Sequence, residues 1–396
     1  MISLLSKLGI QTSNDKILAL LSFVIFIPIL LDFIAGLTSG QSSNITMIIY
    51  GVSLVYFLYF GRDRIKLKNI LILLFFYFIC LINNLIFPES EEYFNIGQYL
   101  ILFFYLPLGF LLFKTIESWD NFIDIIFKFA PLAIIIGIYV IFFTAITTID
   151  RSETYVTYME FSYALMPFVC ASFAYYIKHK DTFALILFII GLAEMLSFGS
   201  RGALLNTLIF AILLRFTQNQ GHKIRLIIFS FFFIVVVINF ESILEFLSQI
   251  PLFENSYILR KALDGGVLQH NSREIILMNC ENRLSTMGAE VSGLFGDRPY
   301  CGSVYPHNII YEILMQWGWF IGTGLLLFFA SLFIKGLLRN SSTRFITIFF
   351  MSTIMAKFFI SDSYLNNGLF WLMIACMLSI NNTTVPVKKH MGNSLK

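Results

Sequence analysis

The sequence predicts an all-α polytopic membrane protein, and three observations predict it. Of its 396 residues 58% are hydrophobic and 45 are phenylalanine, while only 13% are charged, against about 25% in an ordinary soluble domain. The apolar residues fall into segments of bilayer length, with lysine and arginine confined largely to the connections. One stretch departs from both rules: residues 241–308 carry Arg260, Lys261, Arg273, Arg283 and Arg298, seven acidic residues after Glu241, and two of the five cysteines. These features describe helices in a bilayer with one large soluble loop. The net charge of +3 is small and scattered between apolar runs, which argues against a nucleic-acid-binding surface.

A spanning helix needs about 20 mostly apolar residues. The first candidate, 17–37, follows Lys7 and Lys16; it is longer than a signal-peptide core and lacks a small-residue cleavage site, so it reads as a retained span. Further spans are expected at 45–60, 69–87, 97–113, 124–147, 160–177, 182–199, 202–217, 225–240, 309–334, 344–361 and 366–380, about twelve in all. No segment resembles another closely enough to mark an internal repeat. The 396 residues therefore read as a single transmembrane domain, with the loop 241–308 inserted between spans nine and ten.

Charge sets the orientation. With the N-terminus inside, the inner connections and tails collect nineteen Lys and Arg residues, among them Arg62, Lys114, Lys178, Lys180, Lys335, Arg339 and Lys389, whereas the short outer connections hold only Arg151 and Arg201. Long loops are left out of this count because they translocate largely regardless of charge. The asymmetry places both termini on the cytoplasmic side and the long loop outside.

Within the loop, Asn271 followed by Glu274 reads as a capped helix start. That helix carries Arg273, Leu277, Cys280 and Leu284 on one face. The segment 243–253 is apolar with interspersed polar residues and suits a membrane surface, and Gly293, Gly296 and Pro299 mark turns. Cys280 and Cys301 can pair if the loop stands in an oxidising compartment, which would stabilise it by roughly 3 kcal/mol in the chain-entropy model. The alternative is two buried thiols. The other cysteines, Cys80, Cys170 and Cys376, lie in apolar segments and read as small core residues.

Three places can carry chemistry. The first is the tight turn from Ser197 through Ser200 and Arg201 to Gly202 at the outer end of the seventh span. A guanidinium at that depth can hold phosphate oxygens bidentately, or it can simply snorkel and end a helix. Glu194 lies two helical turns before Arg201 and either pairs with it or lines a cavity, because intramembrane acids are costly and need a reason. The second place is His307-Asn308 at the head of the tenth span. Asn308, Glu312 and Gln316 recur every four residues and Tyr311 follows His307 at the same interval, which makes a polar stripe facing protein or water. The third is the basic set of the loop, with Arg273 foremost. Asp32 and Lys357 lie inside spans and read as partners across the bundle or as cavity residues, while Glu89, Glu91 and Glu92 read as solvated surface rather than a cation site.

These residues carry a resemblance. Ser200-Arg201-Gly202 at the end of a span, a large outer loop with an arginine-bearing helix at Arg273, and His307-Asn308 followed by Gly318 and Gly322 resemble the O-antigen polymerase and O-antigen ligase superfamily of bacterial inner membranes. The likeness in layout covers nearly the whole chain, but the motifs are short. The Asn-Pro and Gly-x-Gly run common before the histidine is only loosely echoed by Gly293-Leu294-Phe295-Gly296 and Pro299, and Gln316 stands where an acidic residue is common.

The resemblance implies a GT-C type glycosyltransferase that acts at the periplasmic face on undecaprenyl-diphosphate-linked sugars. Arg201 and Arg273, with Ser200, would then hold the diphosphate as charge develops on it. His307 would take the proton of the attacking sugar hydroxyl, with Glu194 or Glu312 as the other candidate bases, and Asn308, Tyr311 and Gln316 would line the cavity. No metal or other cofactor is expected. Expected partners are the lipid-linked oligosaccharide, the bilayer and a polysaccharide chain-length regulator. Gly-Ser-Arg-Gly-Ala and His-Asn-Ile-Ile-Tyr-Glu are closer in style to polymerases than to ligases, which transfer finished polymer to lipid A core. A reading from another class is a lipid-linked oligosaccharide flippase or transporter, which would bring inverted repeats, broken helices and a site near the midplane.

Overall fold

The computed structural model describes residues 12–37, 52, 55, 59, 66–87, 106–144, 158–198, 200–218, 272–286, 291–294, 301, 305–339, 341–359, 362–365 and 367–382. The described residues are helical, with no strand among them. In chain order the helices are α1 (Ser13–Leu37), α2 (Leu67–Ile86), α3 (Leu106–Leu112), α4 (Phe122–Phe127), α5 (Ala130–Tyr139), α6 (Tyr158–His179), α7 (Thr182–Ser197), α8 (Arg201–Gln218), α9 (Ser272–Thr286), α10 (Ile309–Leu338), α11 (Ser341–Thr353) and α12 (Gly368–Asn382). Short 3-10 turns at Phe113–Thr115 and Met355–Phe359 follow α3 and α11, and a π-helical turn at Val140–Thr144 follows α5. The expected spans at 45–60 and 225–240 lie almost wholly outside the described residues.

Local sequence explains where these helices begin. Asp181 caps α7 by accepting from Phe183 N at 2.9 Å, Ser200 caps α8 by accepting from Ala203 N at 3.3 Å, and Asn308 caps α10 by accepting from Ile310 N at 2.9 Å. The segment expected at 124–147 is divided: α4 ends near Lys128 and α5 takes over with a proline in its first turn, where the missing N–H costs nothing.

Among the described residues three stretches are long and apolar enough to cross a bilayer by length and composition: Ser13–Ile34, Phe122–Phe142 and Ile309–Leu338. Large apolar side chains point outward from the bundle, among them Phe320 at 81% exposure and Leu85 at 75%. A surface of this kind suits acyl chains better than water. Phenylalanines are the largest fully buried side chains of the interior. Phe122 meets Phe349 edge-on at 5.5 Å, Phe349 meets Phe210 at 5.9 Å, and Trp119 meets Phe350 at 5.9 Å, which ties α4, α8 and α11 into one core.

At one end of the bundle the helix termini are laced by polar contacts. Asn14 holds Ser118 O at 2.8 Å, Asn121 donates to Asp15 at 2.9 Å, and Lys178 pairs with Asp124 at 2.7 Å. Ser379 donates to Ile116 O at 2.9 Å, and Arg339 reaches Ile380 O. The start of α1, the ends of α6, α10 and α12 and the head of α4 therefore lie together. The opposite end gathers the end of α1, the heads of α6, α8 and α10 and the segment after α11, and it holds the candidate site.

Candidate functional site

The site is built around a break in α10. Gly318 has φ 70 and ψ 172, a region open essentially to glycine alone. The helix therefore divides into a first arm, 309–317, and a second, 319–338. The break removes the helical N–H that would satisfy Gln316 O, and two backbone groups from the expected loop replace it: Ser292 N and Gly293 N each donate to Gln316 O at 3.0 Å. Gly293 has φ 79, and a Cβ there would strike Asn83 of α2 and Phe87 just after it. Leu294 N donates to the buried Asn83 Oδ1 at 2.9 Å. The loop thus returns into the bundle and is pinned between α2 and α10.

The first arm presents the polar stripe to protein. Glu312 and Gln316 are each 1% exposed. Ser363 Oγ donates to Glu312 Oε1 and Tyr364 OH donates to Gln316 Oε1, while Trp317 Nε1 donates to Tyr364 OH at 3.2 Å. Tyr311 turns the other way and donates to Glu281 of α9 at 2.7 Å. Asn308 is the cap of the arm, and His307, just before it, has φ 57 with its ring 4.3 Å from that of Tyr305.

The helix expected in the loop is α9, docked on this arm. Cys280 and Leu284 pack with Leu314 and Met315, and Cys301 joins the same cluster. Cys280 and Cys301 are both buried, and in this structure they do not form a disulfide. Arg273 lies in the first turn of α9, but its side chain, like Asn271, falls outside the described residues.

A second strand of contacts runs from the stripe toward the head of α8. Asp362, next to Ser363, pairs with Lys357 Nζ at 2.6 Å and accepts from Asn367 Nδ2 at 2.7 Å. Lys357 lies over the ring of Tyr163 at 5.2 Å, and the Tyr163 hydroxyl fills the space where a Cβ of Gly202 would stand. Lys357 and Asp32, expected to be partners or cavity residues, are close enough to influence one another electrostatically. Ser200 is buried with its hydroxyl used as the α8 cap. Arg201 opens α8, and its side chain lies outside the described residues.

Glu194 does not join this set. It is 2% exposed on α7, packed on the backbone of Gly137 of α5, and neither carboxyl oxygen is hydrogen-bonded to a described residue. Among the described residues no group of three or more His, Cys, Asp or Glu is placed to hold a metal ion. Glu89, Glu91 and Glu92 lie outside the described residues.

Sequence reading missed the turn Asp362-Ser363-Tyr364, which the structure makes the hub of the site. Its signal was present: a lysine inside an apolar segment needs a counter-charge, and Asp362 follows Lys357 by five residues. No family model, curated protein or solved structure matches the chain.

Proposed function

We propose that the chain is a polytopic glycosyltransferase of the bacterial inner membrane, of GT-C type with about twelve spans. It would polymerise undecaprenyl-diphosphate-linked repeat units into O-antigen or a related surface polysaccharide at the periplasmic face. One observation carries this reading: the head of α8 with Ser200 and Arg201, the polar arm of α10 with His307 and Glu312, and the docked helix α9 with Arg273 belong to one end of the bundle.

The reaction needs those parts together. A lipid diphosphate is already a good leaving group, so the demand on the protein is fixed positive charge where negative charge grows. Arg201, in the first turn of α8, and Arg273, in the first turn of α9, would supply it. The attacking sugar hydroxyl loses a proton to a base of moderate pKa, which is the role of His307; Glu312 is the alternative within the arm. Glu194, packed on Gly137 where α7 meets α5, is the third candidate base. The chemistry needs no metal or other cofactor when the arginines carry the charge. Nineteen cationic residues on the inner connections against two outside support cytoplasmic termini. An O-antigen ligase would use the same residues with lipid A core as acceptor.

One observation favours the transporter reading. The break of α10 at Gly318, with loop backbone filling it, is the kind of discontinuous helix that secondary transporters use at substrate sites. The test is purified protein in liposomes with lipid-linked repeat units and no ion gradient. Elongation to a ladder is expected. It should fall by at least about 100-fold in His307→Asn, which tolerates the same backbone conformation but removes the base, and fall likewise in Arg201→Ala. Translocation without elongation would establish the transporter instead, and a full ladder from either variant would remove that residue from the mechanism.

A further inference from the structure

The loop is held to the bundle in two different ways. Its return, 292–294, is fixed in the main core. Leu294 is 4% exposed and belongs to the large apolar cluster of the bundle, with its N–H on Asn83 Oδ1 at 2.9 Å. Gly293 is wedged against Asn83 and Phe87 so closely that a Cβ has no room. Ser292 and Gly293 also close the break of α10 through Gln316 O. A segment tied to two core elements at once opens only with that core.

The helix α9 is held far more lightly. Of its described side chains only Cys280 and Leu284 are buried, and they meet Cys301, Leu314 and Met315 in a small cluster separate from the main core. Two hydrogen bonds add to this: Tyr311 donates to Glu281 at 2.7 Å in an exposed position, and Trp319 Nε1 donates to Leu284 O at 3.3 Å. Such bonds contribute little net, because water replaces them. The other side of the helix is open, with Ile275 and Met278 each 55% exposed. Few buried contacts and exposed hydrogen bonds mark the segments that open first.

We propose that α9 is a lid that lifts from α10 as a unit while 292–294 stay in place. Tyr311 and Trp319 are its latches, one on each arm, so the closed lid spans the break at Gly318. Lifting it bares Leu314 and Met315, with the Tyr311 hydroxyl at their edge, one helical turn from His307 and Asn308. The lid is independent of the glycosyltransferase reading, and no substrate is needed to test it.

The native thiols report the motion. Cys280, Cys301, Cys170 and Cys376 are all fully buried, the first two under the lid and the other two in the main core. Full-length protein, reduced and reconstituted in nanodiscs, is treated with a membrane-impermeant maleimide, and labelling at each cysteine is followed by peptide mass spectrometry. A lid open for roughly 0.1–10% of the time labels Cys280 and Cys301 at that fraction of the rate of an exposed thiol, for which Ser285→Cys is the reference. Tyr311→Phe and Trp319→Phe keep an aromatic ring and remove one latch each. Each should speed labelling of Cys280 about fivefold, the size of one hydrogen bond, and leave Cys170 and Cys376 unchanged. Hydrogen exchange at the amides of Ser292 and Gly293 should stay slow in all three proteins. Labelling of Cys280 no faster than that of Cys170 and Cys376 overturns the proposal, since α9 would then open only with the whole fold. Labelling as fast as Ser285→Cys overturns it too, because the helix would not dock. An intermediate rate that neither latch variant changes, or exchange of Ser292 and Gly293 that rises with it, also overturns it, since the moving unit would then not be α9 on these latches.

Discussion

Lys357 shows how a single residue can bind a site together. Its ammonium and the Asp362 carboxylate are 2.6 Å apart, with side chains only 15% and 17% exposed. In such a place a lone charge is far worse than a pair, because the desolvation cost remains when the partner is removed. Lys357→Met should therefore destabilise the protein by about 3 kcal/mol. Lys357→Met with Asp362→Asn should recover most of that loss, since the two neutral side chains leave no orphaned charge. Thermal unfolding of the three proteins in one detergent checks this, and additive losses would mean that the pair is not coupled. Lys357 stands out in the sequence as an anomaly and Asp362 lies only five residues on, but it is the fold that turns this acid back onto the ammonium.

Among the elements, α10 departs most from its sequence pattern. The apolar run from residue 309 onward reads as one continuous span, yet Gly318 divides it and leaves 20 residues from 319 to 338, about 30 Å of helix, which alone matches the hydrocarbon thickness. The first arm is then free to carry Glu312 and Gln316 without exposing them to lipid. Gly318→Ala should cost about 2 kcal/mol for a side chain in that backbone region. A helix that straightens to relieve the strain would draw Gln316 O away from Ser292 and Gly293. The expected result is lower unfolding temperature together with a loss of activity larger than stability explains, measured at matched folded protein. Full activity in Gly318→Ala would show that the break is not required. The loop helix α9 was legible from its own cap and apolar face, whereas its docking on the arm through Cys280, Leu284, Leu314 and Met315 depends on residues far apart in the chain.

At the scale of the whole molecule, the prediction concerns sidedness. Lys180 and Ser341 lie at the end laced by Asp124, Asp120 and Asn14, and Ser285 lies at the end of α9 on the opposite, site-bearing side. Cysteines introduced one at a time at these three exposed positions should divide accordingly. A membrane-impermeant maleimide applied to spheroplasts should label Ser285→Cys, and should reach Lys180→Cys and Ser341→Cys only after lysis. Labelling of Lys180→Cys in intact cells would invert the topology and put the site on the cytoplasmic side.

The sequence by itself determined that the chain is helical and apolar enough for a bilayer, and where most helices begin and end. Hydropathy and segment length are local properties, written in neighbouring residues, whereas the caps at Asp181, Ser200 and Asn308 are seen only in the structure. The sequence also singled out Glu312, Gln316 and Lys357, because a polar group inside an apolar run is anomalous wherever the chain goes. Only the tertiary structure decided which groups answer them. Ser363 meets Glu312 across 51 residues and Tyr364 meets Gln316 across 48, and Asn83 reaches Leu294 across 211. It also set Glu194 against Gly137 of α5. The physical reason is common to all of these: a buried polar group must find a partner wherever packing brings one, and packing is fixed by the whole bundle rather than by any one stretch of it.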